Sequence, residues 1–141
     1  MPEAIYTAEA TSSGGGRDGH VRSSDGIIDQ DVKMPPAMGG PGGATNPEQL
    51  FAAGFAACFH GALRGVARKA GVTVPGGTTV DVAVGIGPDE TSFGINAVIT
   101  ARLPGLDQAE ADKLVEGAHE VCPYSKATRG NIDVELKAVT A

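Results

Sequence analysis

Polar and apolar positions divide this chain into short alternating runs, then one long apolar block, then alternating runs again. Ile5 to Thr11 is a β-friendly run, broken by Gly14, Gly15 and Gly16. Asp18-Gly19 and Asp25-Gly26 are turn dipeptides flanking a short strand from His20 to Ser23, and Ile27 to Lys33 supplies a third strand, so a meander is predicted. The following segment MPPAMGGPGGAT contains three prolines and four glycines and suits neither helix nor strand, which predicts a loop.

The long block is a helix with legible ends. Thr45 or Asn46 is the expected cap, Pro47 occupies the first position, where no intrahelical partner is lost, and Glu48 lies in the first turn. The helix is expected to run to Lys69 or Ala70 and stop at Gly71. From Leu50 to Leu63 it is apolar nearly all round, which predicts burial on several sides, and Gly54, Gly61 and the alanines permit close backbone approach. In so short a chain, such a helix is expected to be central and to pack against another subunit as well.

Thr78 to Ile86 and Ser92 to Arg102 read as strands joined by Gly-Pro-Asp-Glu. Asp107 to Val121 reads as a second helix, with Ala111, Leu114, Val115 and Ala118 as its buried stripe. Pro123 ends it, Tyr124 to Thr128 forms a turn, and Ile132 to Val139 is the last strand. Three strands, helix, two strands, helix and strand amount to an α+β architecture.

Length and charge narrow the function. A chain of 141 residues fits a single domain spanning 1–141 with one core. Eleven Lys and Arg against seventeen Asp and Glu give a formal charge of −6, a field that repels phosphate backbones, so no nucleic-acid partner is expected. No charge-free apolar stretch reaches the roughly 18 to 20 residues that span a bilayer, and the start lacks a signal-peptide pattern, so no membrane association and a cytoplasmic location are expected. In a reducing compartment a cysteine pair more often serves catalysis, sensing or metal binding than permanent cross-linking.

There are two cysteines, Cys58 in LFAAGFAACFHGAL and Cys122 in HEVCPYSKATRGN. Two sulfurs in unusual local sequence suggest a redox couple. Cys58-x-His60 and His119-x-x-Cys122 also offer two sulfurs and two imidazoles of the kind zinc takes. Residues two apart on a helix point about 200° away from each other, so Cys58 and His60 do not share a site on an unbroken helix, and no metal is expected. Which thiol attacks a substrate stays open on the residues alone. Cys122 precedes Pro123 and so would cap a short helix whose dipole favours a thiolate.

TNPEQLFAAGFAACF, AHEVCPYSKATRGNIDVEL and the earlier GGGRDGHVRSSDG together resemble the motifs of the organic hydroperoxide resistance proteins, the Ohr branch of the Ohr/OsmC family. The likeness covers nearly the whole chain in the family's order. It implies an OsmC-like fold, with antiparallel sheets packed around a long central apolar helix and a second helix, in an intertwined homodimer. It implies a cytoplasmic thiol peroxidase for organic hydroperoxides, re-reduced by a dithiol such as a lipoylated protein, with no bound cofactor. It assigns attack on the peroxide to Cys58, resolution to Cys122, and tuning of the first thiol to Arg17 and Glu48.

Physical chemistry gives these residues intelligible work. An ordinary thiol is only a few per cent thiolate at neutral pH, and burial makes matters worse, so Cys58 needs a fixed positive charge. Arg17 stays charged and offers a fork, which Glu48 would hold. On a continuous helix Glu48 and Cys58 lie about 15 Å apart; either the helix bends near Gly54 or Arg17 and Glu48 act from the partner subunit, the arrangement favoured here. Phe51 and Phe55 flank Cys58 on its helical face and would bind an alkyl substrate, although they equally suit an ordinary core. Glu48 also reads as a carboxylate favoured by the helix dipole, and Arg17 as a solvated turn residue. Two other functions compete: the OsmC branch with broader peroxide preference, and a thiol sensor that switches without turnover.

Overall fold

The computed structural model describes residues 2–141, which divide into two compact units, one up to Leu50 and one from Phe51 onward. The first unit holds an antiparallel meander of β1 (Ala10–Gly14), β2 (Gly19–Ser23) and β3 (Asp29–Val32). β1 lies later than the apolar run at Ile5 suggests. The glycines do not break the strand; they make its hairpin. Gly14 pairs with Gly19, the Gly15 N–H is bonded to the Asp18 carbonyl at 3.0 Å, and Gly14 and Gly16 have φ of 76° and 75°. A hairpin turn fixes the register of what it joins. Thr11, Ser12 and Ser13 are therefore the residues that pair with β2, while Ile5 and Tyr6 stay exposed.

The predicted loop holds one 3-10 turn, Pro36–Met38, ended by Gly39 at φ 85°. Thr45 then bridges to Val32 on β3, and the Asn46 side chain accepts from the Gln49 N–H at 2.8 Å, the cap expected for the helix that follows. That helix, α1 (Pro47–Ala70), begins in the first unit and continues into the second. It stops at Gly71, φ 71°, where the Val72 N–H reaches the Ala67 carbonyl at 2.9 Å and the Gly71 N–H the Arg68 carbonyl at 3.2 Å, a Schellman ending.

In the second unit β4 (Thr79–Pro88) and β5 (Phe93–Arg102) form an antiparallel hairpin. α2 (Gln108–Val121) and α3 (Pro123–Thr128) follow, then β6 (Val134–Val139), which pairs with β5 in parallel. The expectation of antiparallel sheets therefore holds for the first sheet and needs correction for the second. Two helices between β5 and β6 return the chain to the start of β5, and such a crossover produces a parallel neighbour. The α+β class itself stands.

The core of this unit is where α1, the sheet and α2 meet. Phe55, Phe59, Leu63 and Ala67, four residues apart along α1, are buried with Ile99, Ala101 and Leu103 and with the predicted α2 stripe Ala111, Leu114, Val115 and Ala118. Asp107 caps α2 by accepting from the Glu110 N–H. Within one chain α1 buries only that stripe, and Leu50, Phe51, Ala52, Ala56, Ala62 and Val66 remain half-exposed. By length and composition alone α1 is apolar enough to cross a bilayer, which a count of charge-free residues does not register; its buried stripe makes it the core helix of this unit.

Phe59→Ala should destabilise the protein by about 3–5 kcal/mol through the cavity it leaves, and Asn46→Ala by only about 1 kcal/mol through loss of a cap. Urea unfolding of both variants reads these values. Equal losses would show that the core does not centre on α1.

Candidate functional site

Pro123 has no N–H to donate, so α2 stops and a new helix starts at the same place. Cys122 is that joint: its N–H closes α2 on the Ala118 carbonyl at 2.8 Å, and its carbonyl accepts the Lys126 N–H at 3.0 Å as α3 begins. The stretch expected as a turn from Tyr124 to Thr128 is thus a one-and-a-half-turn helix. The corner is braced from both sides. His119 Nδ1 meets the hydroxyl of fully buried Ser125 at 2.9 Å, and the Arg129 guanidinium donates to the His119 carbonyl. Burial, aided by the Arg129 charge, holds His119 below its ordinary pKa and so in its neutral form.

Across from this joint lies Cys58, in the middle of α1. The two sulfur atoms are 3.3 Å apart, and both are free thiols. A disulfide is about 2.05 Å long, so bond formation needs an approach of only about 1.3 Å, within reach of side-chain rotation. Cys122 is fully buried and Cys58 partly exposed. Burial pushes the Cys58 thiol up, the Tyr124 backbone N–H acts against that by bonding the sulfur, and the Cys122 sulfur raises it further.

Tyr124 contributes its ring as well as its N–H. It packs on Phe51 and Phe55 at centroid distances of 6.1 and 5.8 Å, while Phe51 and Phe55 meet edge-on at 5.9 Å. Gly54 makes room for it, since a Cβ there would lie 3.1 Å from the Tyr124 hydroxyl. Phe55 is fully buried and Phe51 half-buried. A groove of about 460 Å³ opens at Cys58 and is walled by Ala62, Gly65, Val66, Arg68 and Lys69 of α1 with Val121 and Pro123 of the α2–α3 corner. Neither phenylalanine is among its lining residues.

Arg17 and Glu48 meet in the first unit. Arg17 sits in the tip of the β1–β2 hairpin, Glu48 in the first turn of α1, and their fork is bidentate, Nη1 to Oε2 at 3.0 Å and Nη2 to Oε1 at 2.8 Å. The Arg17 bonds hold the Glu48 carboxyl below the usual carboxylate range against the opposing effect of burial, and Glu48 in turn raises the Arg17 guanidinium. α1 runs through Gly54 without a break. Among the described residues no three His, Cys, Asp or Glu side chains converge so as to hold a metal, and the buried His60 Nε2 has no hydrogen-bond partner.

The family model described as "OsmC-like protein" matches residues 40–137, which includes both cysteines. The chain belongs to the OsmC family. An organic hydroperoxide resistance protein of Xanthomonas axonopodis pv. citri is 51% identical over 95% of this chain and 94% of its own length. The organic hydroperoxide resistance protein OhrB of Bacillus subtilis is 46% identical over 95% of this chain and 98% of its own. The crystal structure of an organic hydroperoxide resistance protein from Elizabethkingia anophelis superposes on this OsmC-family chain with a TM-score of 0.93 at 45% identity, covering 99% of this chain and 100% of that one.

Of the residues singled out from sequence, Cys58 and Cys122 come together, as do Arg17 and Glu48, and Phe51 and Phe55 join in one aromatic cluster. Tyr124, Val121, Pro123, Arg68 and Lys69 were not anticipated. Two signals point to them: Tyr124 is two residues from Cys122 at a helix start, and Lys69 is eleven residues from Cys58, close to three helical turns.

Because the folded pKa of Glu48 is lowered, the stability its pair contributes is present above the ordinary carboxylate pKa of about 4.3 and is lost as pH falls through the lower folded value. Acid unfolding of Glu48→Gln should lack that component. Identical acid profiles for the variant and the unaltered protein would contradict the pairing.

Proposed function

We propose that this chain is a thiol peroxidase that reduces organic hydroperoxides, alkyl or fatty-acid, to alcohols, acting as the single domain 1–141 and as a homodimer in the cytoplasm. The observation that carries the reading is the 3.3 Å separation of two free thiols, one buried and one at a groove. The names of its relatives point the same way.

The Cys58 thiolate attacks the terminal peroxide oxygen; the O–O bond breaks, the alkoxide leaves and takes a proton to become the alcohol, and Cys58 is left as a sulfenic acid. Cys122 then attacks the Cys58 sulfur, the S–OH bond breaks, and hydroxide leaves with the Cys122 proton as water. The disulfide returns to two thiols by exchange with an external dithiol, which is itself oxidised. A lipoylated protein is the dithiol favoured here, and no bound cofactor takes part. Since Cys122 is fully buried and Cys58 is not, the incoming dithiol attacks Cys58 and Cys122 departs as the thiolate.

Activation requires more than one chain's second unit supplies, because burial raises the Cys58 thiol. Arg17, held by Glu48, brings the charge that reverses this, delivered from the partner subunit. The half-exposed apolar side chains of α1 are the surface a second copy covers. Phe51 and Phe55, stacked on Tyr124, give the thiols an apolar backing that suits alkyl hydroperoxides.

Steady consumption of cumene hydroperoxide with dihydrolipoamide tests the reading; a sensor would stop after one equivalent. Cys58→Ser should reduce turnover to background, whereas Cys122→Ser should consume a first equivalent and stall. Reversed behaviour would exchange the roles of the two thiols. Arg17→Ala should raise the midpoint of the pH–rate profile by about two units and lower the rate at neutral pH about a hundredfold. An unmoved midpoint would remove Arg17 from the site.

A further inference from the structure

The groove at Cys58 has a chemically distinct far end. Its floor follows one face of α1, from Cys58 through Ala62 and Gly65 to Lys69, at intervals of four, three and four residues. A Cβ built on Gly65 meets nothing within 4 Å, so the floor there is open space rather than packed side chain. Val121, an exposed apolar side chain, and Pro123 form the facing wall. The walls are apolar up to Arg68 and Lys69, which lie about 15 and 16 Å beyond Cys58 along the helix axis.

We propose that Arg68 and Lys69 form a carboxylate-binding end of this groove, so that the preferred hydroperoxide is a long-chain acyl compound with a free carboxylate. This rests on the peroxidase reading above and adds the group that reads the substrate's head. Neither cation makes an ion pair among the described residues. Their place in the last turn of α1 is favoured by the helix dipole, which accounts for charge at that position. It does not account for both cations lining the groove that ends at the thiol, in a chain of net charge −6.

The length also fits. Roughly ten to twelve carbons, at about 1.5 Å per bond along a zigzag, span the distance from Cys58 to the cations. A carboxylate at one end and a hydroperoxide at the other would be held at the same time, with the chain between them on apolar walls. The volume, about 460 Å³, is of the size that takes a ligand of this class. A small neutral hydroperoxide reaches Cys58 without touching the far end.

The test compares kcat/KM for the 13-hydroperoxide of octadecadienoic acid with that of its methyl ester, dihydrolipoamide being the reductant. The acid should be preferred by about tenfold, the worth of one charge-assisted contact. In the R68E/K69E variant the preference should vanish or invert, and in R68Q/K69Q it should vanish; using the ratio cancels any general loss of activity. Gly65→Leu, which fills open space, should raise KM for both long-chain compounds relative to tert-butyl hydroperoxide. Equal use of acid and ester by the unaltered protein, or an unchanged ratio in both charge variants, overturns the site alone. Consumption of neither compound removes the peroxidase reading and this site with it.

Discussion

The approach of Cys58 to Cys122 is the constraint around which the second unit is arranged. A sulfur on the middle of a helix reaches another only if some segment comes close to that helix from outside. Here the chain meets the requirement with a proline-induced corner. α2 ends because Pro123 follows, and Cys122 is left at the joint, pointing into the core that α1 shares with the sheet. His119, Ser125 and Arg129 brace that joint, and the neutral state of His119 keeps a second charge out of a buried neighbourhood.

Burial is both useful and costly in this arrangement. It keeps the resolving sulfur away from adventitious oxidants and gives the apolar surroundings an alkyl hydroperoxide favours. It also opposes the thiolate that the chemistry needs, and the Tyr124 N–H acts only partly against this. The Arg17–Glu48 fork is a ready-made answer, a charge fixed by two hydrogen bonds and so costing little reorganisation when it is used. Oligomer formation and catalysis are linked on this account, since the same apolar helix that lacks cover in one chain carries the attacking thiol.

The helices were the most legible part of the fold. α1 has a cap, a first-turn proline and a terminal glycine, and Asn46, Pro47 and Gly71 act as their types predict. The buried stripe of α2 was readable because a period near 3.6 picks out Ala111, Leu114, Val115 and Ala118 and little else. β1 was displaced because the glycines look like a strand breaker while their positive φ values make them hairpin residues. The parallel pairing of β6 was not readable, since strand direction depends on where a crossover lands and not on local pattern. At the site, motifs marked both thiols and the Arg17–Glu48 pair. Arg68, Lys69 and Val121 carry no motif, and only the course of α1 past the α2–α3 corner makes them neighbours of Cys58.

The central claim is that the two sulfurs form one redox unit within a chain. Treating the reduced protein with one equivalent of organic hydroperoxide, then counting thiols and mapping peptides by mass, measures this directly. The account predicts loss of both thiols together, a mass lower by two hydrogens, and a Cys58–Cys122 cross-linked peptide from a single chain. Survival of one thiol beside an oxidised partner, or a cross-link only between chains, would contradict it.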